Sequence, residues 1–117
     1  REKLFIADLR VARDIFIQYN VANASFPAES IPGAVPDGMI SYLSKMHWTD
    51  ETSIGGQWDW DYGVNGIKAA VAVYGPNRSN AEMEEIDLAI DDGNLSSGSF
   101  RSKPGGFVLV VEEGNEN

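Results

Sequence analysis

The chain has no cysteine among its 117 residues. That excludes disulfides, zinc-thiolate centres and thiol nucleophiles, and it leaves the redox compartment open. Positive charge is also scarce, with nine Lys and Arg against 18 Asp and Glu and a formal charge of -9. Phosphate backbones and anionic lipids are bound by clustered cations, and these nine are scattered along the chain. Nucleic acid is therefore excluded as a partner and an anionic membrane surface is disfavoured. Long apolar runs are missing too. The longest, Ala69 to Val73 and Phe107 to Val111, fall far short of the ~20 residues that a membrane helix needs. Histidine occurs once, at His47 beside Trp48, with no Ser, Cys or second His at a recognisable spacing. No Gly-x-Ser-x-Gly, phosphate loop, dinucleotide fingerprint or His-Glu-x-x-His is present. Carboxylates offer many pairs, but none stands in an identifiable catalytic pattern. The expectation is a protein without catalysis.

What is there suffices for one core: 43% of the residues are hydrophobic and 10% aromatic, enough for a single domain over residues 1–117. From Arg1 to about Ala24 there is neither Pro nor Gly. Placing residues at ~100° intervals puts Leu4, Phe5, Leu9, Val11, Ala12, Ile15, Phe16, Tyr19 and Ala22 on one broad face of a helix. Only Asp8 interrupts it. The other side carries Arg10, Arg13, Asp14 and Asn20, together with Ile6 and Ile17. Single exposed apolar residues are ordinary, so those two become informative only if a partner is implied. No capping residue precedes the first apolar position, and the helix is expected to begin upstream of Arg1.

Between residues 25 and 56 the pattern becomes a loop region, punctuated by Pro27, Pro32, Gly33, Pro36 and Gly38. Within it, Met39, Tyr42, Leu43 and Met46 recur at helical spacing and predict one or two helical turns. After Gly55-Gly56 the period changes to two. Trp58, Trp60 and Tyr62 alternate with Asp59 and Asp61, Gly63-Val-Asn-Gly makes a turn, and Ile67 to Tyr74 reads as a strand apolar on both faces. The Asp pair is expected to point towards solvent or loop N–H groups. Ser79-Asn-Ala-Glu82 has the spacing of a capping box, so a short helix is predicted over 79–92, burying Met83, Ile86 and Ile90 and stopping at Gly93. Strands at Gly98 to Ser102 and Gly106 to Glu112 follow, and the tail from Gly114 is expected to fray. The reading is an α+β fold: a long N-terminal helix packed on a small antiparallel sheet, 57–112, with a short second helix.

Two clusters stand out. Asp87, Asp91 and Asp92 crowd the negative end of the second helix, where each Asp is disfavoured by ~0.3 to 1 kcal/mol, and Asp87 and Asp91 repel one another one turn apart. Compensation could come from a hard cation such as calcium, from N–H groups of the turn Gly93-Asn-Leu-Ser, or from a partner. The segment lacks the regular spacing of an EF-hand loop. The second cluster is Trp48, Trp58 and Trp60. Alternation with Asp makes Trp58 and Trp60 one buried strand face, and the alternative is an aromatic platform for a carbohydrate or other ligand.

The pieces Ala7-Asp-Leu-Arg-Val-Ala-Arg-Asp-Ile-Phe-Ile-Gln-Tyr with Phe26-Pro27, Ile54-Gly-Gly-Gln-Trp-Asp-Trp-Asp, and Ile86-Asp-Leu-Ala-Ile-Asp-Asp-Gly-Asn-Leu-Ser-Ser-Gly resemble the soluble domain of type IV pilin-like proteins and type II secretion pseudopilins. The resemblance spans nearly the whole chain. It departs at Ala89, where Lys is common, and in lacking the apolar helix half with its Phe-Thr-Leu-Ile-Glu-like start. It implies a filament subunit made as a prepilin that is cleaved and methylated. The subunit would be anchored in a bacterial inner membrane only through that missing helix half and exposed to the periplasm or cell surface. It also implies that the partners are other copies of the chain and other pilin-like subunits, with Ile6, Arg10, Arg13 and Ile17 at subunit contacts. Some members carry calcium in the C-terminal loops, which would fall on Asp87, Asp91 and Asp92. A helix of ~24 residues is ~36 Å long and a small sheet covers ~20 Å, so part of the helix is expected to protrude or lean on neighbours.

Overall fold

The computed structural model describes residues 1–114; positions 115–117, the rest of the tail expected to fray, lie outside the described residues. Helix α1 runs over Glu2–Asn23 and ends at Ala24 in the left-handed conformation. A single turn, α2, covers Ile40–Leu43. Strands β1 (Gln57–Val64) and β2 (Ile67–Tyr74) form the predicted hairpin, followed by α3 (Asn80–Ile90), β3 (Phe100–Lys103) and β4 (Gly106–Glu113). The four strands make one antiparallel sheet in the order β1-β2-β4-β3. This is the expected α+β architecture.

Helix α1 lies on the inner face of the sheet through a narrow stripe. Phe5, Leu9, Ala12 and Phe16, at steps of four, three and four residues, are the buried ones, and they share a core with Trp58, Trp60, Val71, Val73, Phe107 and Leu109. The broad face expected from periodicity is therefore corrected: Leu4 and Val11 are 56% and 50% exposed, and Ala22 is exposed as well. A sheet covers only one side of a helix cylinder. The neighbouring flank is taken by α3, towards which Ile6 turns its side chain. The helix of 22 residues is about 33 Å long, within a body whose longest extent is 37 Å. Its start is tied down by Glu2 to Arg78 at 2.8 Å, and its end by Asn23 to Tyr42 at 3.4 Å.

The loop region screens the outer edge of β1, where exposed ladder groups would otherwise invite pairing. Two indoles hold it there: Trp60 Nε1 donates to the Pro27 carbonyl at 3.0 Å and Trp48 Nε1 to that of Ala34 at 2.8 Å. The Gly33 N–H donates to the Trp58 carbonyl at 2.8 Å. At Gly56, with φ +79°, a Cβ would come within 2.5 Å of the Tyr74 carbonyl oxygen, so only glycine lets the chain enter β1 there.

Two boundaries differ from the sequence reading for one reason. The second helix ends at Ile90 rather than at 92, and β3 begins at Phe100 rather than at Gly98. Asp91 and Asp92 spend their carboxylates on loop N–H groups, which draws both segments into the connecting loop. Among the described residues, no helix is long and apolar enough to cross a membrane.

Candidate functional site

The capping box that starts α3 is complete. Ser79 Oγ accepts from the Glu82 N–H at 3.2 Å and the Glu82 carboxylate accepts from the Ser79 N–H at 2.8 Å. The helix is thus fixed at its first turn, and its axis carries Asp87 inward. The last turn has no basic residue of its own, but Arg10 of α1 donates to the Ala89 carbonyl at 3.2 Å. That guanidinium supplies the positive charge that a helix C-terminus favours.

The three carboxylates gather here as the sequence suggested, each offering an oxygen within 4.8 Å of the others. Their hydrogen bonding is unequal. Asp92 accepts from the Asn94 N–H at 3.0 Å and from Ser97 Oγ at 2.7 Å, and Asp91 accepts from the Ser99 N–H. These are the turn-forming bonds that Asp makes in such loops, and the Asn94 N–H and Ser97 hydroxyl hold the Asp92 carboxyl below its usual range. Gly98 is part of the cradle: at φ +76°, its Cβ would fall 1.8 Å from Asp91 Oδ2 and 2.9 Å from Asp92 Oδ2.

Asp87 has no such support. It is fully buried, and neither carboxylate oxygen has a hydrogen-bond partner. The Gly93 and Asp92 N–H groups act on it as weak dipoles without making a hydrogen bond of normal geometry. Burial first, and then the charge of Asp92, push its carboxyl above the usual range. An ionised carboxylate buried without a partner is among the costlier features a fold can hold. Among the described residues, no Lys or Arg forms an ion pair with any of the three acids. The donor set is all oxygen and anionic, with no ion-paired cation to balance it, which fits a hard divalent cation such as calcium.

The other sequence candidates are distributed differently. Trp48, Trp58 and Trp60 are buried, with Phe16 stacked on Trp60 and Phe5 on Trp58, so the aromatic platform is corrected: these rings have no free face for a ligand. Of the expected subunit contacts, Ile6 is half-buried against the core and Arg10 is engaged with α3. Arg13 is half-buried, with Nε 3.7 Å from Asp14, and Ile17 is 39% exposed. The outward stripe of α1 is instead Leu4, Val11 and Val21, the last 79% exposed. His47 is exposed, its Nδ1 3.9 Å from Asp50, with no nucleophile beside it.

One group escaped the sequence reading. Asp59 and Asp61 face neither solvent nor loop amides, being 3% exposed on the outer face of the sheet, and both lie 2.7 Å from Lys103 Nζ. Glu29, whose side chain accepts from the Tyr62 N–H, brings a third carboxylate within 4.8 Å of them. Burial, against the pull of Lys103, pushes the Asp61 carboxyl up to about 6. Burial draws Lys103 down, but its bonds to the two Asp outweigh that and hold it above the ordinary range. The clue was the apolar pattern on both faces of β2, since the outer residues Ala70 and Ala72 had to be covered by something. No protein-family model, curated protein or solved structure matches the chain.

Proposed function

We propose that the chain is a structural subunit of a type IV pilin-like filament, a pilus or a secretion pseudopilus, without catalysis of its own. The observation that carries this reading is the outward stripe of α1. Leu4 and Val11, 56% and 50% exposed, lie with Ala7 along one line of a helix that is secured at both ends. A helix lying on one sheet has no need of apolar residues on its far side, and in a filament that side meets the helices of neighbouring copies through contacts that do not close. The fold, a long amphipathic helix on a four-stranded antiparallel sheet, supports the same reading, and so do the segments that resemble pilin-like proteins. On this reading the protein sits at a bacterial inner membrane, with this domain in the periplasm or at the cell surface. The test is to replace Leu4 and Val11 together by Asp in the protein at its natural length. Filaments are then lost while the domain melts as before; filaments of normal abundance would remove the reading.

The acidic loop belongs to the same proposal as a calcium site. Asp87, Asp91 and Asp92 would hold the ion, which would neutralise the buried carboxylate and fix residues 91–99 against the end of α3. In a subunit exposed outside the cytoplasm the ion would act as a structural brace. Titration of the chelator-treated protein with calcium alone, followed by melting temperature, tests this part: a rise supports it and no shift removes it.

A further inference from the structure

The buried cluster on the outer face of the sheet ties its two edges together. Lys103 belongs to β3 and the two Asp to β1, the two opposite edges of the sheet. In the register Asp59 stands opposite Ala72 and Val108, in a row that ends at Arg101, while Lys103 pairs with Gly106 beside Tyr74, so the lysine stem runs diagonally across β4 and β2 to reach the Asp pair. Its ammonium ends 2.7 Å from Asp59 Oδ2 and 2.7 Å from Asp61 Oδ2, with the three side chains 6%, 4% and 4% exposed. Asp59 Oδ1 is buried with no hydrogen-bond partner.

We propose that Lys103 Nζ and the Asp59 side-chain carboxyl condense to an amide without any other enzyme, with Asp61 relaying the protons, so that β1 and β3 become covalently joined. The inference does not depend on the filament reading. Three features of the site favour the reaction. Holding amine and carboxyl in contact replaces a bimolecular encounter, an advantage that reaches ~10⁵ to 10⁸ M in effective concentration for well-oriented groups. A desolvated ammonium and carboxylate are costly in an apolar setting, and the amide removes both charges at once. Asp61, held by the same ammonium, has a carboxyl raised to about 6, a range in which a group both takes and gives protons near neutrality.

The steps balance without oxidant, reductant or co-reactant. Asp61 takes one proton from Nζ and passes it to an Asp59 oxygen, leaving a neutral amine beside a neutral acid. The nitrogen lone pair attacks Asp59 Cγ and the C–N bond forms. Asp61 then carries a second proton from nitrogen to the same oxygen, the C–O bond breaks, and one water leaves. Asp61 ends as it began. Asp59 is assigned as the electrophile because its free oxygen has no bond to surrender, whereas Glu29 is occupied by the Tyr62 N–H.

Intact mass spectrometry of the purified chain in denaturing solvent tests the proposal directly. The expected mass is one water below that of the sequence, with fragmentation joining residue 103 to residue 59. The Lys103→Arg variant should have its full mass, and persistence of the water loss in that variant would overturn the proposal by pointing to a cyclised aspartate. A full mass for the unaltered chain after prolonged incubation at neutral pH overturns it as well, and so does a bond mapped to residue 61. The rate adds a second readout: Asp61→Asn, checked for folding by circular dichroism, should slow the loss of water roughly a hundredfold, and an unchanged rate would sink the relay.

Discussion

The ring of Phe16 lies over that of Trp60 with centroids 4.0 Å apart and planes 8° from parallel. This contact fastens α1 to the edge strand β1, and the same indole donates its Nε1–H to Pro27 at 3.0 Å. Helix, sheet and loop therefore meet at one stacked pair. Phe16→Ala should cost ~3 to 5 kcal/mol, the range for truncating a buried aromatic, as read from urea unfolding. A loss below about 1 kcal/mol would mean that the helix is held elsewhere.

Burial of the three indoles makes an optical prediction. Acrylamide should quench the native tryptophan emission only weakly, and mono- and oligosaccharides should leave its maximum in place. Strong quenching in the native state, or a blue shift on adding sugar, would return the aromatic platform to consideration.

Asp87 is where a neutral substitute should help. With the metal chelated, Asp87→Asn should be more stable than the unaltered protein by ~1 to 3 kcal/mol, because an unpartnered buried charge is removed. With calcium added, the unaltered protein should gain stability and the variant should not. Equal responses of the two proteins would show that Asp87 is not a ligand.

Ile6 and Val11 separate packing from assembly. Ile6, turned into the flank beside α3, should destabilise the isolated domain when changed to Asp, by ~2 kcal/mol or more for a charge placed against the core. Val11→Asp should leave the melting temperature within a degree or two and act only on filaments. The reverse pattern in thermal melts would contradict the outward stripe.

Acid should weaken the α3 cap in a defined direction. The Ser79 N–H holds the Glu82 carboxyl below its ordinary 4.5, and Arg78 does the same for Glu2. A depressed folded value means stability that is present above 4.5 and lost as the pH falls through the folded value. Asp8 and Glu29, raised mainly by burial, act in the opposite sense, so the comparison must be with a variant. Glu82→Gln should narrow its deficit against the parent protein as the pH drops from 6 to 3; a constant gap would exclude the cap as the titrating element. Ser79→Ala should cost ~1 kcal/mol at neutral pH.

Most of the fold was legible because it rests on local rules. The Pro- and Gly-free stretch up to Ala24, the Gly63-Val-Asn-Gly turn, which the structure narrows to Asn65 and Gly66 because β1 runs on to Val64, and the Ser79 and Glu82 pair each act over a few residues, and each gave the element that the structure contains. The acidic loop was legible in part. Its three carboxylates and the turn bonds of Asp91 and Asp92 follow from spacing and turn chemistry. The orphaned state of Asp87 does not, because it depends on which face of α3 meets the core.

The sequence by itself determined the order of elements, the absence of any thiol, and the alternation that sends Trp58 and Trp60 one way and Asp59 and Asp61 the other. Only the tertiary structure decided what each face would meet. Periodicity reports the angle at which a side chain leaves the backbone, not the element that stands opposite. Leu4 and Val11 thus stay outside while Ile6 is drawn in, and Lys103, 44 residues from Asp59, reaches across two strands to meet it. That contact exists because an antiparallel sheet in the order β1-β2-β4-β3 puts Lys103 and the Asp pair on the same face.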